Sequence, residues 1–466
     1  MKQRKLTLIL NAVLIFFAST STTISAQTIA AGFNHSVYRC ISGTPQSVGS
    51  NTSGALGIGA FGDHSTPISA VGLTEIIAVD AGYFHSLFLK NDGTVWAVGG
   101  NGNGQLGDGT TSGTTSPVQV VGLTGITDIA ASMDFSIFLK NDGTVWAVGN
   151  NSTGQLGDGT NDSKTTPVQM LGLTGITAIS VGQFHSLFLK NDGTVWATGG
   201  NYYGQIGEQP LYGVTTPIEI EGVSGITAIS AGGTHSLFLK DDNKVWGVGS
   251  NAFGQLGNFD VGSYIYNPFE LTGLSGITKL SGGFLYSLFL HTNGTVMACG
   301  ANTFGQLGDG TTINKSIPFI IPGLTGISAI DASGSHSLFL DNDGTVYAVG
   351  NNNSGQLGDG TITQRLTPVV VNEVCNVVLS VVENAIEKVS VYPNPCREQL
   401  LLALSDSFTT DTNTVAELFD MQGQLLHSIK LQATTTSIEV ADLKTGIYLL
   451  RIKSSAGIFE KKIIKK

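Results

Sequence analysis

Five histidines recur at one position along the chain: His35, His85, His185, His235 and His336. Regularly placed imidazoles suggest metal ligation or proton transfer. Phe135 and Tyr286 occupy the same position in two further copies, and neither metal binding nor proton transfer survives Phe. These histidines are therefore expected to be structural, with their ring nitrogens hydrogen-bonded internally. The Gly-Asp-Gly runs around Asp108, Asp158, Asp309 and Asp359, and the run Asp341-Asn342-Asp343-Gly344, suggest calcium. They are too short to supply six to eight alternating oxygen ligands, and Asp-Gly suffices as turn chemistry. The Gly-rich stretches lack the Lys and following helix of a phosphate loop. Irregular acids suited to a polysaccharide hydrolase or lyase are Glu208, Asp260, Glu219 and Glu221. No Ser/His/Asp constellation departs from the periodic pattern. The sequence therefore points to no catalytic residue, no metal and no cofactor.

The elements that position these residues are set by a repeat. The Ser after each His position recurs at Ser36, Ser86, Ser136, Ser186, Ser236, Ser287 and Ser337, and a Pro follows in step from Pro67 to Pro368. The one extra residue lies in the loop after Gly257. Each unit offers four short strand-like runs, in the second unit around residues 76–79, 86–90, 94–98 and 117–121. Asn-Asp-Gly at 91–93, 141–143 and 191–193 separates the middle two, a strong hairpin signal. A period of 40–50 residues with four strands per unit is the signature of a β-propeller. The expectation is an all-β chain, a seven-bladed β-propeller followed by a small β-sandwich. All four Trp (Trp96, Trp146, Trp196, Trp246) share a position that also accepts Met297 and Tyr347, so that position is read as packing.

The unit "HSLFLKNDGTVWAVG…GQLGDGT…TPV" resembles the repeat of the regulator of chromosome condensation family, over about residues 27–371. That resemblance implies the seven-bladed propeller. The founding member is a nuclear exchange factor for a small GTPase, whose activity depends on loops added to the ring and whose chromatin binding depends on a basic tail. This chain has neither, so exchange activity is not expected; fold does not carry function with it. A secreted β-lactamase inhibitor on the same propeller is nearer in compartment and binds its target with aromatic residues on one face.

Residues that vary between units are the informative ones. One variable pair precedes each His position, as in Tyr83-Phe84, Gln183-Phe184 and Phe284-Leu285; another precedes each "GQ", as in Tyr202-Tyr203, Ala252-Phe253 and Thr303-Phe304. Aromatic residues accumulate on units four to six, including Tyr212, Tyr264 and Tyr266 in diverging loops. Aromatics at turn positions form partner-binding patches, or else pack over neighbouring blades. The expected partner site comprises Phe84, Phe184, Tyr202, Tyr203, Tyr212, Phe253, Tyr264, Tyr266 and Phe304. The ligand class expected is a protein or a glycan, bound without catalysis. The alternatives are a polysaccharide-active enzyme and a structural or adhesion component.

Composition agrees. The chain has 62 Gly in 466 residues and only 12% charged residues, which suits many short strands joined by tight turns. Of the net −11, residues 27–374 carry 10 bases and 24 acids, or −14. An acidic ring without a basic patch excludes nucleic acid as an expected partner. Residues 1–26 read basic, apolar, then small, the layout of a secretory signal peptide cut after Ala26, and no other stretch is long and apolar enough to span a membrane. Export to an oxidising compartment permits disulfides. Cys40 and Cys375 lie near the two ends of the repeat region, so a bridge would tie them together; unpaired buried thiols are the other possibility.

The repeat stops at Val371. Residues 372–388 read as a linker and 389–466 as a small β domain. Its "VYPNP", "LFDMQGQLL", "LKTGIYLLRI" and terminal "KKIIKK" resemble the type A C-terminal sorting domain of the type IX secretion system of the Bacteroidetes. The resemblance implies recognition by the export machinery, release outside the cell or display on its surface by way of the periplasm, and a sorting motif of Tyr392, Pro393, Asn394, Pro395, Gly446, Tyr448, Lys461 and Lys462.

Overall fold

The computed structural model describes residues 29–40, 42–207, 212–259, 261–375, 389–404, 414–420, 425–431, 435–454 and 457–466. The expected signal peptide (1–26), most of the expected linker (376–388), Glu208 and Asp260 lie outside the described residues. The described residues contain strands and no helix, so none is long and apolar enough to cross a membrane. They form two units, dividing between Cys375 and Asn376.

In the first unit, seven four-stranded antiparallel sheets follow one another in strict chain order. Blade 1 comprises β1 (Ile29–Ala31), β2 (His35–Arg39), β3 (Pro45–Gly49) and β4 (His64–Ser69). Blades 2 to 7 span 76–119, 126–169, 176–219, 226–270, 277–320 and 327–370. The first strand of each blade neighbours the first strand of the next, so first strands line the axis. Connections between the first and second strands, and between the third and fourth, open on one side, here called the loop face. The Asn-Asp-Gly hairpins and the blade-to-blade links open on the other, the hairpin face.

Register follows from alternation. In blade 2, His85 pairs with Gly99, Leu87 with Ala97, and Phe88 with Trp96. Gly99 has φ 116°, and a Cβ there would run into the Phe84 carbonyl oxygen and lie 2.8 Å from the His85 Cα. Only glycine meets both demands. Asp92 secures the hairpin by accepting the Thr94 N–H at 2.9 Å.

The core is distributed over seven blade junctions. Phe88 of blade 2 packs among Ala30, Val37, Ala70 and Leu73 of blade 1. Phe138, Phe188, Phe238, Phe289 and Phe339 repeat that insertion around the ring. Tyr38 of blade 1 fills the last junction beside Leu338 and Val346 of blade 7. Every one of these rings is fully buried, each contributing roughly 1.5–3 kcal/mol of transfer free energy.

The N-terminal strand belongs to blade 1, pairing with its second strand, so no blade is completed by exchanging a strand between chain ends. Covalent closure comes instead from a Cys40–Cys375 disulfide with 5.0 Å between Cα atoms, resolving the two possibilities left open by the sequence. Cys299 and Cys396 are free and buried.

In the second unit, Val389–Tyr392, Gln399–Leu404 and Thr435–Glu439 form a three-stranded sheet. Leu425–Lys430, Val415–Phe419, Gly446–Ser454 and Gly457–Lys465 form a four-stranded one. A shared apolar core includes Leu400, Leu402, Leu418, Leu450, Ile452 and Ile463.

Candidate functional site

The repeated histidines are all fully buried, each in a junction. The His35 Nε2 lies 2.9 Å from the Ser86 Oγ of the next blade, and His85 reaches Ser136, His185 reaches Ser236 and His235 reaches Ser287 at the same distance. His336 of blade 7 meets Ser36 of blade 1 at 2.8 Å, closing the ring. Each serine hydroxyl already donates to a carbonyl of the preceding blade, as Ser36 does to Gln356 and Ser236 to Gln205. Its single proton is thus committed, so Nε2–H must donate to the serine. The imidazoles are neutral Nε2–H tautomers. Burial pushes His35 down to about 4 and His85, His185, His235 and His336 to about 3. Tyr286 takes over in blade 6, its hydroxyl 2.9 Å from the Ser337 Oγ. Imidazoles committed in this way join blades.

The Gly-Asp-Gly aspartates are equally committed. Asp309 accepts from Asn302, from the Thr311 N–H at 2.9 Å, and from Lys315 at 2.9 Å. Asp359 pairs with Arg365 at 2.6 Å and Asp158 with Lys164 at 3.2 Å. These hydrogen bonds and cations hold the three carboxyls below the usual range against the opposing effect of burial. Among the described residues no cluster of three His, Cys, Asp or Glu could hold a metal. Of the acids suited to glycan hydrolysis, Glu219 pairs opposite Trp196, towards the hairpin face.

A second set of polar links escaped the sequence reading. Asp80 accepts the Ala131 N–H at 2.6 Å, Ser180 that of Ala231, Ser230 that of Gly282, Ser281 that of Ala332, and Asp331 that of Ala31 at 2.7 Å. They form a collar around the axis, broken where Ala30 and Ala130 stand at the same position. Asp80, Asp128 and Asp331 are only partly exposed, and protein surrounds them. Burial raises Asp80 to about 6 and Asp128 and Asp331 to about 7, with Asp80 adding repulsion to both neighbours. The signal was present as Ser or Asp recurring five residues before the His position, but period-two alternation alone does not tell a lumen from a core.

The loop face gathers the variable residues. A shallow cleft between blades 1 and 2 is lined by Asn34, Thr52, Ser53, Tyr83 and Phe84, so both variable pairs meet there. The Thr153 hydroxyl likewise donates to the Phe184 carbonyl at 3.2 Å. First members of the pairs before His turn to the axis: Phe33 stacks on Tyr83 at 4.3 Å, and Phe284 from the far side stands 6.1 Å from both. Gly233 and Gly334 make the space, since a Cβ at either would lie 2.5–2.6 Å from a ring carbon of Phe284 or Phe33. These three aromatics pack over the axis.

The remaining aromatics divide. Tyr202 is 52% and Tyr212 79% exposed, in edge contact at 6.4 Å. Phe84 and Tyr264 are exposed, and Phe253 and Phe304 are just over a third exposed. Tyr203 is half-buried against Tyr264 at 5.2 Å, and Tyr266 packs over Gly204 of the preceding blade. Phe184 is half-buried. The sequence reading missed exposed apolar tips on the same face: Phe61 in blade 1, Phe259 in blade 5, Ile313 in blade 6 and Ile362 in blade 7. Blades 2 and 3 carry Thr111 and Asn161 in these loops.

In the second unit, the Asn394 side chain clamps the final strand, donating to the Lys462 carbonyl at 2.7 Å and accepting the Ile464 N–H at 2.8 Å. Tyr392, Pro393 and Pro395 are exposed beside it. The Tyr448 hydroxyl donates to the Lys444 carbonyl at 2.7 Å, pinning the turn that leads through Gly446 into its strand. Lys461 is half-buried and Lys462 exposed.

Comparison with known proteins agrees with this architecture. The RCC1-like domain profile matches residues 63–390, and that of the secretion system C-terminal sorting domain matches 390–466. No curated protein sequence matches. Among solved structures, yeast RCC1 (Prp20) bound to Kap60 aligns at 21% identity and a TM-score of 0.64, over 76% of this chain and 87% of its own. Prp20p from Saccharomyces cerevisiae, studied for binding to Gsp1p and histones, aligns at 21% and 0.64, over 74% and 87%. Human WBSCR16 aligns at 25% and 0.63, over 70% and 92%. At 21% identity the yeast likeness shows the fold.

Proposed function

The chain belongs to the RCC1-like domain family and carries a type IX C-terminal sorting domain, and from that premise we propose that it is a non-catalytic binding propeller that meets a protein or glycan outside the cell. The sorting domain indicates export, to the cell surface or into the surroundings. The observation that carries the binding role is the exposed aromatic arc of the loop face on blades 4 to 6, with Tyr202, Tyr212, Phe253, Tyr264 and Phe304. Exposed rings are where a partner gains most on desolvation. Phe84 and Phe184 extend the face across blades 2 and 4, with Tyr203 and Tyr266 as support beneath. The non-catalytic part of the reading is supported by the histidines, whose Nε2 atoms are bonded to serines of the next blade while Nδ1 of His85, His185, His235 and His336 is buried without a partner, and by the turn aspartates, which are held by neighbouring donors.

The test is capture of a ligand from environmental extract and on a glycan array. Replacing Tyr202, Phe253 and Phe304 together by Ala should abolish capture while leaving the thermal unfolding midpoint unchanged. Undiminished capture by this variant removes the loop face from consideration, and product release from any polysaccharide in the same screen removes the non-catalytic reading.

A further inference from the structure

Six of the seven blades carry a glutamine at one place in the connection between their third and fourth strands. Gln105, Gln155, Gln205, Gln255, Gln306 and Gln356 fold back into that turn, and each carboxamide oxygen accepts the N–H two residues before it at 2.9–3.0 Å. Blade 1 has Ala55 at this place. Its turn keeps the same shape without the glutamine. The Gly54 N–H donates to the Asn51 carbonyl and the Leu56 N–H to the Asn51 side chain, as Gly104 and Leu106 do to Asn101 in blade 2. What blade 1 lacks is the acceptor for the Ser53 N–H, which finds no other among the described residues.

The space left by the missing side chain is the cleft between blades 1 and 2. Blade 3 shows the filled form. There Gln155 bridges the Thr153 N–H at 2.9 Å and the Asn150 side chain at 3.2 Å, beside Phe184 of the next blade. The counterparts Ser53, Ser50 and Phe84 line the cleft in blade 1 together with Ala55, around about 40 Å³ of space. A water needs roughly 10–15 Å³, so a group of a few heavy atoms fits and a whole sugar ring does not.

The other blades also define the chemistry of an occupant. Its polar atom must be a carbonyl-type oxygen, taking the Ser53 N–H where the glutamine oxygen lies elsewhere. The group attached to that carbonyl gains nothing from being an amine. The carboxamide nitrogens of Gln205, Gln255 and Gln356 are buried without a hydrogen-bond partner, in blade 5 even though Ser250 stands where blade 1 has Ser50. Burying such a donor unpaired costs about 1–3 kcal/mol, and a methyl in its place avoids that. A carbonyl bearing a methyl is an acetyl group. Phe84, 41% exposed, adds apolar surface beside the cleft for the body of a ligand. On a ring of net −14, an uncharged substituent also escapes the repulsion that an acidic sugar meets.

We propose that the cleft between blades 1 and 2 binds the acetyl group of an acetamido sugar, its carbonyl accepting the Ser53 N–H and its methyl resting on Ala55. This rests on the reading of the loop face as a binding face and narrows the ligand to an uncharged N-acetylated glycan.

The test is saturation-transfer NMR on the full chain with N-acetylglucosamine, and with glucose as a sugar without the acetyl group. Saturable transfer, strongest at the acetyl methyl, is expected with the first and none with the second. Ala55→Gln restores the side chain that six blades already carry. It should abolish the transfer and leave the unfolding midpoint unchanged or raised. Replacing Tyr202, Phe253 and Phe304 together by Ala should keep the transfer, so failure of the aromatic arc and failure of the cleft are read separately. Absence of transfer to the acetyl methyl, or undiminished transfer in Ala55→Gln, overturns the proposal. Displacement of the sugar by the tripeptide glycyl-glutaminyl-glycine would make a protein's amide side chain the occupant and overturns it equally.

Discussion

Buried imidazoles govern how this ring responds to acid. The five junction histidines titrate near pH 6.5 when unfolded but only at about 3 to 4 when folded. Their folded values are depressed, so the stability they permit is complete above 6.5 and is lost as pH falls below it. Asp80, Asp128 and Asp331 act in the opposite sense: their folded values, about 6 to 7, lie above the unfolded 3.8, so their cost at neutral pH is relieved as pH falls. Between about pH 4.5 and 6, five histidines outweigh three aspartates, and unfolding takes up roughly two protons, or about 2.7 kcal/mol per pH unit. Urea unfolding of the propeller at several pH values should show stability falling steadily over that window. A slope near zero contradicts the assignment. His235→Phe copies what blade 3 already does with Phe135 and should cost about 1 kcal/mol for the lost bond to Ser287. It should also make the pH slope shallower by about one proton. Sequence alone excluded chemistry for these residues, because Phe replaced one copy, but it could not show which serine each met. Those partners lie 51 residues ahead in most junctions and 300 residues away at the seam.

At the scale of the element, the blade was legible because it is local. Period-two alternation, the Asn-Asp-Gly turn and the recurrent Gly at the end of the third strand all act within about thirty residues. Gly99→Ala tests this: a left-handed backbone and a collision with the Phe84 carbonyl predict a loss of at least about 2–3 kcal/mol. The same change at Gly122, which has positive φ but open space around it, should cost only about 1 kcal/mol. Chemical denaturation of the two variants compares them directly, and equal losses would contradict the packing account. What the element pattern left hidden is which variable side chains face solvent. Phe33 and Phe284 read like Phe84 or Phe253 in sequence, yet they cover the axis. Their fate depends on Gly233 and Gly334, which come from other blades.

For the whole molecule, closure is the issue. Each blade is linked to the next by chain, except at the seam between blades 7 and 1. There Cys40 and Cys375, 335 residues apart, supply the bond. A cross-link over so long a loop removes much unfolded-state entropy, and Cys40→Ser should lower stability by roughly 3–5 kcal/mol. Urea unfolding with and without reductant measures it: the reductant should shift the wild-type midpoint downward and leave Cys40→Ser unmoved. An unchanged wild-type midpoint would show that apolar packing of Tyr38 at the seam is enough.

The repeat length, strand number, turn chemistry and export tail were determined by the sequence itself. Each is written in neighbouring residues or in a short motif, where propensity and spacing act directly. Only the tertiary structure decided that the first strand completes its own blade and that Cys40 meets Cys375. The same holds for the aspartates and serines that form an axial collar. All of these depend on curvature accumulated over seven sheets, which brings residues hundreds of positions apart to within hydrogen-bond distance and leaves no trace in any local window.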